Sequence, residues 1–309
     1  MTAPVAFIGL GVMGAPMARR VAAGGHEIVV HDHSAVIRDL FRQEGFKVRD
    51  TAAEAAADAG IVIVMLPDSS IVRSVVLDGG VADAMRPGGL VVDMSTGSPA
   101  DLLSLGEALN AKGLRLIDVP VGRSCREAVD GTLLALAGGE AADLDAFRPV
   151  LDTMASDVVH VGPLSQGLRL KLVNNYMAMI NHVLTAEVIA LAEDVGLDRK
   201  VAVDVLSTTS AGLGQLNTNF PRKVLRGDVT PDFPIDMGIK DLSLALDLSR
   251  TEGARAAFGE LANTVFKAAR DDGFGGYDCT GVLHFLQGRP AGDPARQSRA
   301  ASEPQPEAQ

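Results

Sequence analysis

Short runs of apolar residues, separated by stretches with helical spacing, fill the first half of the chain. Val5–Ile8, Ile28–Val30, Ile61–Met65, Leu90–Asp93, Leu114–Asp118, Leu133–Ala137 and Val158–Val161 are rich in Val, Ile and Leu and almost continuous in hydrophobicity. Amphipathic segments such as Ala15–Ala23, Ala35–Glu44 and Pro99–Ala111 lie between the early ones. Strands that read apolar throughout are covered on both faces, and strands alternating with helices need crossover connections. The pattern predicts an α/β fold built on a doubly wound parallel sheet. Ligands of such sheets bind outside the carboxyl ends of the strands. Met65-Leu66-Pro67-Asp68 and Asp93-Met94-Ser95-Thr96 both stand at ends of that kind, where plain turn chemistry is the competing reading.

The pattern changes near Gly162-Pro163. From Gln166 to Val195 an apolar, Leu-, Met- and Ala-rich stretch runs without proline until Gly196, a suitable helix stop. Such a helix would span about 45 Å. Helical segments follow at Val201–Thr208, Gln215–Leu225, Asp241–Thr251 and Ala256–Asp271, and no strand pattern returns. The expected organisation is a dinucleotide-binding domain over 1–163 and an all-helical domain over 164–288 that begins with the long interdomain helix. The polar, proline-containing tail, 289–309, has too little apolar surface to order itself. The cleft between the two halves is the expected ligand site. The sequence carries no internal repeat.

A chain of 309 residues has room for two cores, and no run of 18 apolar residues marks a membrane span. Its net charge of −11 argues against a nucleic-acid partner and means that any anionic substrate must be met by locally placed cations. Two cysteines, Cys125 and Cys279, show neither metal-ligand nor C-x-x-C spacing, so no metal is expected. That usage, with no signal-peptide pattern at the start, predicts a reducing, cytoplasmic setting. Cys125 reads as a small buried residue.

The first βαβ unit carries the clearest chemistry. Gly9, Gly11 and Gly14 form a G-x-G-x-x-G turn, with Val12 and Met13 inside it, directly after a strand and before a helix. Gly9 allows the tight turn, Gly11 lets a pyrophosphate approach the backbone, and Gly14 lets helix and strand pack closely. The helix N-terminus then offers N–H groups to the phosphates. Asp32, 21 residues after Gly11, is placed to accept hydrogen bonds from ribose hydroxyls. A carboxylate repels a 2′-phosphate, and the following residue is His33 rather than arginine, so NAD(H) is expected over NADP(H).

On the long helix, Lys171, Asn174, Asn175 and Ala178 share one face by their spacing. An ammonium and two carboxamides in an otherwise apolar helix are costly to bury unpaired, which favours a functional face over a solvated stripe. A lysine there suits proton donation to a carbonyl oxygen as hydride arrives, or the holding of an anion. Gly122-Arg123-Ser124 follows a strand. Gly122 would admit a ligand closely, Arg123 offers a fork of donors for a carboxylate, sulfonate or phosphate, and Ser124 adds a hydroxyl. A loop arginine equally suits a surface ion pair. Lys240 reads as standing at a helix N-terminus, where a cation is better explained if it faces an anion such as the cofactor, although a tolerated surface lysine fits too.

These motifs occur together and in order in one family. Phe7-Ile8-Gly9-Leu10-Gly11-Val12-Met13-Gly14-Ala15-Pro16-Met17, Asp93-Met94-Ser95-Thr96, Asp118-Val119-Pro120-Val121, Gly131-Thr132-Leu133 with Ala137-Gly138-Gly139, Lys171-Leu172-Val173-Asn174-Asn175 and Lys240-Asp241-Leu242 resemble the β-hydroxyacid dehydrogenases of the 3-hydroxyisobutyrate dehydrogenase type. The resemblance covers residues 4 to about 288. It implies a Rossmann-type N-terminal domain, Lys171 as general acid–base, Asn175 as substrate-placing, and Met65, Leu66, Thr96 and Lys240 near the cofactor. It implies a small anionic semialdehyde or hydroxyacid as substrate, and a homodimer or homotetramer. Where most members have Ser-Gly-Gly, this chain has Gly122-Arg123-Ser124, which is similar to the branch that binds a sulfonate and reduces sulfolactaldehyde. That branch has a serine one turn after the first asparagine, and this chain has Ala178. Carboxylate-specific members are the alternative. A non-catalytic NAD-binding protein of the same fold would be expected to lack Lys171.

Overall fold

The computed structural model describes residues 4–57 and 59–292. They divide into two compact units, one ending at Met177 and one beginning at Ala178, so that the division falls inside the long helix.

The first unit is built on strands β1 (Val5–Ile8), β2 (Ile28–His31), β3 (Lys47–Val48), β4 (Ile61–Val64), β5 (Leu90–Asp93), β6 (Arg115–Asp118), β7 (Val121–Gly122), β8 (Leu133–Gly138) and β9 (Ala155–Gly162). They form one sheet in the order β3-β2-β1-β4-β5-β6-β8-β7, with β9 pairing β8. The first six are parallel. The helices of this unit are α1 (Gly14–Ala23), α2 (Ala35–Gln43), α3 (Ala52–Ala56), α4 (Ser69–Arg73), α5 (Val81–Ala84), α6 (Pro99–Ala111), α7 (Cys125–Asp130), α8 (Ala141–Leu151) and the start of α9 (Gln166–Asp194).

Alternate residues of one strand enter different cores, which is why the strands read as continuous apolar runs. Val5 and Phe7 of β1 join Met17, Val21, Phe147 and Leu151 on one face of the sheet. Ala6 and Ile8 join Val72, Leu102, Leu105 and Leu109 on the other. The sheet departs from the expected all-parallel pairing beyond β6. There β8 runs antiparallel to both β6 and β7. Val119 and Pro120 follow β6, and the segment before β8 contains only the two-residue β7 and the six-residue α7. The chain turns back through β7, which pairs antiparallel with β8, so the return runs antiparallel.

The second unit is helical: α10 (Arg199–Leu206), α11 (Ser210–Leu213), α12 (Asn219–Arg222), α13 (Ile235–Thr251), α14 (Ala257–Ala269) and α15 (Val282–Leu286) follow the end of α9. Val224, Val229, Ile235, Ile239, Phe274 and Tyr277 form its core. The single helix expected over Gln215–Leu225 is broken. Lys223 lies at φ −117°, ψ −109°, between α12 and a 3-10 turn at Val224–Arg226. Its ammonium instead reaches Asp228, Asp232 and the Thr230 carbonyl. The start of the expected tail is also tied down: the Gly292 N–H donates to the Tyr277 hydroxyl at 2.8 Å. Residues 293–309 of that tail lie outside the described residues. Among the described residues no helix is long and apolar enough to cross a membrane.

Candidate active site

The parallel register aligns the carboxyl ends of the central strands. Ile8 sits opposite both His31 and Val64, Val64 opposite Asp93, and Asp93 opposite Asp118. The segments that follow these residues are therefore neighbours along one sheet edge. The chain also reverses its direction of progress across the sheet at β1, between β2 and β4. Such switch points are where open α/β sheets take ligands.

The glycine turn fits its assigned tasks. Gly9 has φ 99°, and a Cβ there would lie 2.2 Å from the Met65 carbonyl oxygen. A Cβ on Gly14 would lie 2.0 Å from the Gly9 oxygen, so α1 and β1 touch backbone to backbone. Around Gly11 nothing stands within 4 Å of a built Cβ, and Val12 beside it is 78% exposed. Helices α3, α4 and α6 are capped by Thr51, Asp68 and Ser98, whereas α1, behind Met13, has no side-chain cap, as is also true of α2, α5 and α8. An uncapped N-terminus behind an open turn fits a pyrophosphate. Asp32 is buried, and its two oxygens accept the Leu10 and Ser34 N–H groups, each at 2.8 Å. It thus shapes the turn as well as standing where ribose hydroxyls are expected. Met65, Leu66 and Thr96 are half-buried on the neighbouring strand ends. The Leu66 N–H donates to Ser95 Oγ at 3.0 Å, a tether between two of these ends.

Lys171 lies in the second turn of α9. It is half-buried, and among the described residues it has no ion pair or hydrogen bond; burial pushes its ammonium below the ordinary lysine range. Asn175 and Ala178 are half-buried on the same face, while Leu172, Val173 and Tyr176 between them are exposed. Lys171, Asn175 and Ala178 thus lie on the more covered side of this helix segment. Asn174 is exposed, with its amide 3.3 Å from the Asn175 oxygen.

Asp118, at the end of β6, was visible in the sequence only as part of a motif. It accepts the Ser165 N–H at 2.7 Å and the Leu168 N–H at 2.6 Å, capping the start of α9. Burial pushes its carboxyl up to about 6, and the neighbouring Asp93 carboxylate adds to the rise. Asp93 is raised by burial too. These partners lie 47 and 50 residues apart in sequence, so no local pattern could have pointed to them.

Several expected site residues are engaged differently. Gly122 is buried in β7 beside Leu134, where an added Cβ would make ordinary contact at 3.4 Å, unlike the open Gly11. Arg123 holds φ 73°, a left-handed conformation. Its guanidinium donates to Asp157 at 2.6 Å, to Ser156 Oγ at 2.9 Å and to the Thr132 carbonyl. This is the surface ion pair that a loop arginine also suited. The Ser124 side chain caps α7 in a reciprocal arrangement with Glu127, which engages both its hydroxyl and its N–H. Lys240 does not stand at a helix N-terminus, because α13 starts at Ile235 behind Pro234. It lies in the second turn, half exposed, 3.0 Å from Asp241. Cys125 is exposed rather than buried: it opens α7 at the surface, with its Sγ 3.5 Å from Met13 Sδ of the glycine turn.

Comparison with known proteins identifies the family. Residues 4–162 match the family described as the NAD binding domain of 6-phosphogluconate dehydrogenase. Residues 165–286 match the NAD-binding family of NADP-dependent 3-hydroxyisobutyrate dehydrogenase. The chain is 40% identical over 287 residues to 3-sulfolactaldehyde reductase of Escherichia coli, covering 92% of this chain and 96% of that protein. It is 32% identical over 292 residues to a probable 3-hydroxyisobutyrate dehydrogenase of Mycobacterium bovis, covering 92% and 98%. The solved structure of Mycobacterium tuberculosis 3-hydroxyisobutyrate dehydrogenase with L-serine aligns at TM-score 0.65 and 32% identity, covering 93% of this chain and 100% of that one. On these matches, with an NAD(P)-binding domain over residues 4–162, the chain belongs to the 3-hydroxyisobutyrate dehydrogenase family as an oxidoreductase acting on CH–OH.

Proposed function

We propose that this protein reduces short anionic aldehydes with NADH, foremost 3-sulfolactaldehyde to 2,3-dihydroxypropane-1-sulfonate. The observation that carries the reading is Lys171: a half-buried ammonium without an anionic partner among the described residues, lowered by desolvation toward the range of a working general acid. The nicotinamide, when bound, supplies the hydride. Lys171 gives its proton to the aldehyde oxygen, where negative charge develops, and Asn175, one turn on, orients the substrate. Gly9, Gly11, Val12, Met13 and Gly14 hold the dinucleotide, with Met65, Leu66, Thr96 and Lys240 as further contacts. Asp32 supports NADH over NADPH, because a carboxylate repels a 2′-phosphate. Arg123, with Gly122, Ser124 and Asn174, is the anion-binding group, and its guanidinium must exchange Asp157 for the substrate. The name of the relative at 40% identity supports the sulfonate.

Ala178 favours a second reading, a carboxylate-bearing semialdehyde, since it offers no hydroxyl to a third anion oxygen. Exposed Val173, Tyr176, Met179 and Val183 on α9 support association of like chains through this helix. The test is steady-state kinetics with NADH and NADPH against 3-sulfolactaldehyde, tartronate semialdehyde and succinic semialdehyde, for the parent and Lys171→Ala. The expected result is highest kcat/KM with sulfolactaldehyde and NADH. Lys171→Ala should lose about 10²–10⁴-fold in kcat with NADH binding intact. Parent-like turnover in Lys171→Ala would remove the mechanism.

A further inference from the structure

A proton donor on a helix is only as well placed as the helix start. For α9 that start is not secured by its own sequence. Ser165, the residue before it, stands at φ 79°, and its hydroxyl accepts from Arg169 Nε at 3.3 Å. The cap comes from the sheet instead, as both oxygens of Asp118 take the Ser165 and Leu168 N–H groups. The backbone closes tightly on that carboxylate. A Cβ on Gly138 of β8 would lie 2.5 Å from one of its oxygens, and a Cβ on Gly167 of α9 would lie 2.9 Å from the other. The same Gly167 Cβ would lie 2.1 Å from the Leu136 carbonyl oxygen. Strands β6 and β8 and the first turn of α9 therefore meet around one carboxylate with no side chain between them. Leu168 is 2% exposed, and Lys171 follows it by three residues, on the same side of the helix.

We propose that Asp118 is the positioning residue for the general acid: its carboxylate fixes the first turn of α9 on the sheet, and thereby the place of the Lys171 ammonium. The inference rests on the reading of Lys171 as proton donor. A capping role alone would not call for this group. Serine, threonine or asparagine caps a helix without the desolvation of a buried anion. Asp118 is 1% exposed and sits beside a second buried carboxylate, Asp93. The charged group acting on it is Asp93 on β5; on α9, Arg169 donates to the Ser165 hydroxyl, and Lys171 forms no ion pair with it among the described residues. Strand β8 presents Gly138, without a side chain, and His160 on β9 is held by the Gly139 carbonyl at 2.9 Å. What the anion adds is two strong acceptors at once, both aimed at the first turn of the helix that carries Lys171.

The experiment compares the parent, Asp118→Asn, Gly167→Ala, Lys171→Ala and the double variant Asp118→Asn/Lys171→Ala. Readouts are kcat, the NADH dissociation constant and the pH profile. Asparagine keeps one acceptor and loses the other. The expected result is a fall in kcat of up to about 100-fold with NADH affinity unchanged. The acid limb of the parent profile near pH 6 should vanish in Asp118→Asn. Residual kcat of Lys171→Ala should not fall further in the double variant, because Asp118 acts through Lys171. Parent-like kcat with the acid limb retained would overturn the proposal, as would an equal fall in the Lys171→Ala background. If Asp118→Asn does not fold, Gly167→Ala decides: it keeps the carboxylate and displaces the turn, so unchanged kcat there overturns the proposal. Failure of the Lys171 reading is separately visible as parent-like turnover of Lys171→Ala alone.

Discussion

Replacing Arg123 with glycine should separate the fold from anion recognition. Arg123 stands at φ 73°, where an L side chain costs about 1–2 kcal/mol relative to the right-handed region and glycine adopts the angle freely. The greater freedom of glycine in the unfolded chain takes back about 0.4–1 kcal/mol. The ion pair with Asp157 lies in water, and exposed pairs of this kind contribute little. The terms nearly cancel, so stability should change by no more than about 1 kcal/mol, or about 2–4 °C in Tm for a domain of this size. Catalysis should respond quite differently. A hydrogen bond between charged groups contributes about 1.5–3 kcal/mol, so KM for an anionic aldehyde should rise roughly 10- to 150-fold. KM for an uncharged aldehyde of similar length should stay near the parent value. The assay is NADH oxidation with both substrates, beside a thermal melt of the same preparation. Equal rises in KM for the two aldehydes would refute the anion role, and a collapse in Tm would refute the strain argument. Asp157→Asn supplies the converse. If Asp157 competes with the substrate for Arg123, removing its charge should lower KM for the anionic aldehyde; a higher KM would mean that Asp157 holds the guanidinium in its working place.

Gly14→Ala should weaken NADH binding sharply and lower stability by about 1–3 kcal/mol, since its Cβ would lie 2.0 Å from the Gly9 oxygen and push α1 off β1; parent-like NADH affinity in a fluorescence titration would contradict this. The reductive rate should fall as pH rises through the lowered pKa of Lys171, because the donor must be protonated, and a limb at the ordinary lysine value would contradict its desolvation. Asp118 should leave a signature in stability as well. Its carboxyl titrates near 6 in the folded chain, above its ordinary 3.8, so the folded state binds this proton more tightly. Its contribution to stability therefore increases as pH falls through about 6 and is complete below 3.8. Urea unfolding at pH 8 and pH 5 should show the parent gaining on Asp118→Asn toward the lower pH, and parallel curves would refute the assignment.

The sequence was most legible where function depends on neighbours in the chain. The glycine turn, the strand before it and Asp32 after it lie within one βαβ unit, and their spacing alone pointed to a dinucleotide. Strand β1 and helix α6 fall on the residues that the apolar pattern predicts, because a fully covered strand and a Ser-Pro helix start are local signals. Pairings across the chain were not legible. Nothing near Arg123 in sequence announces Asp157, which approaches it across 34 residues through the pairing of β8 and β9. Nothing near Lys240 announces that α13 begins at Ile235, since Pro234 offers no side-chain cap and the signal at Asp241 looked stronger. The break at Lys223 is of the same kind: its partners lie five and more residues on, in a loop whose shape the helical period cannot show.

The charges at the sheet edge of this acidic protein follow one rule. Asp32, Asp93 and Asp118 end or follow strands β2, β5 and β6, and all three are buried. Each is satisfied by backbone N–H groups: Leu10 and Ser34 for Asp32, Ser95 for Asp93, Ser165 and Leu168 for Asp118. Among the described residues the basic side chains in contact with them are both at Asp32: His33 lies 3.2 Å from its carboxylate, exposed to water, and Arg38 donates to its backbone carbonyl at 2.8 Å. Carboxylates that bond to peptide dipoles fix loops and helix starts without engaging a lysine or arginine. That leaves Lys171 unpaired among the described residues, in a chain whose acidic groups outnumber its basic ones 39 to 28. Had Asp118 been held by a cation instead of two N–H groups, the nearest on its helix would have been Arg169 or Lys171. A paired Lys171 would be stabilised in its charged form and would release its proton less readily. Tethering through the backbone thus leaves Lys171 desolvated and, among the described residues, uncompensated, as the proposed proton donor to an aldehyde requires.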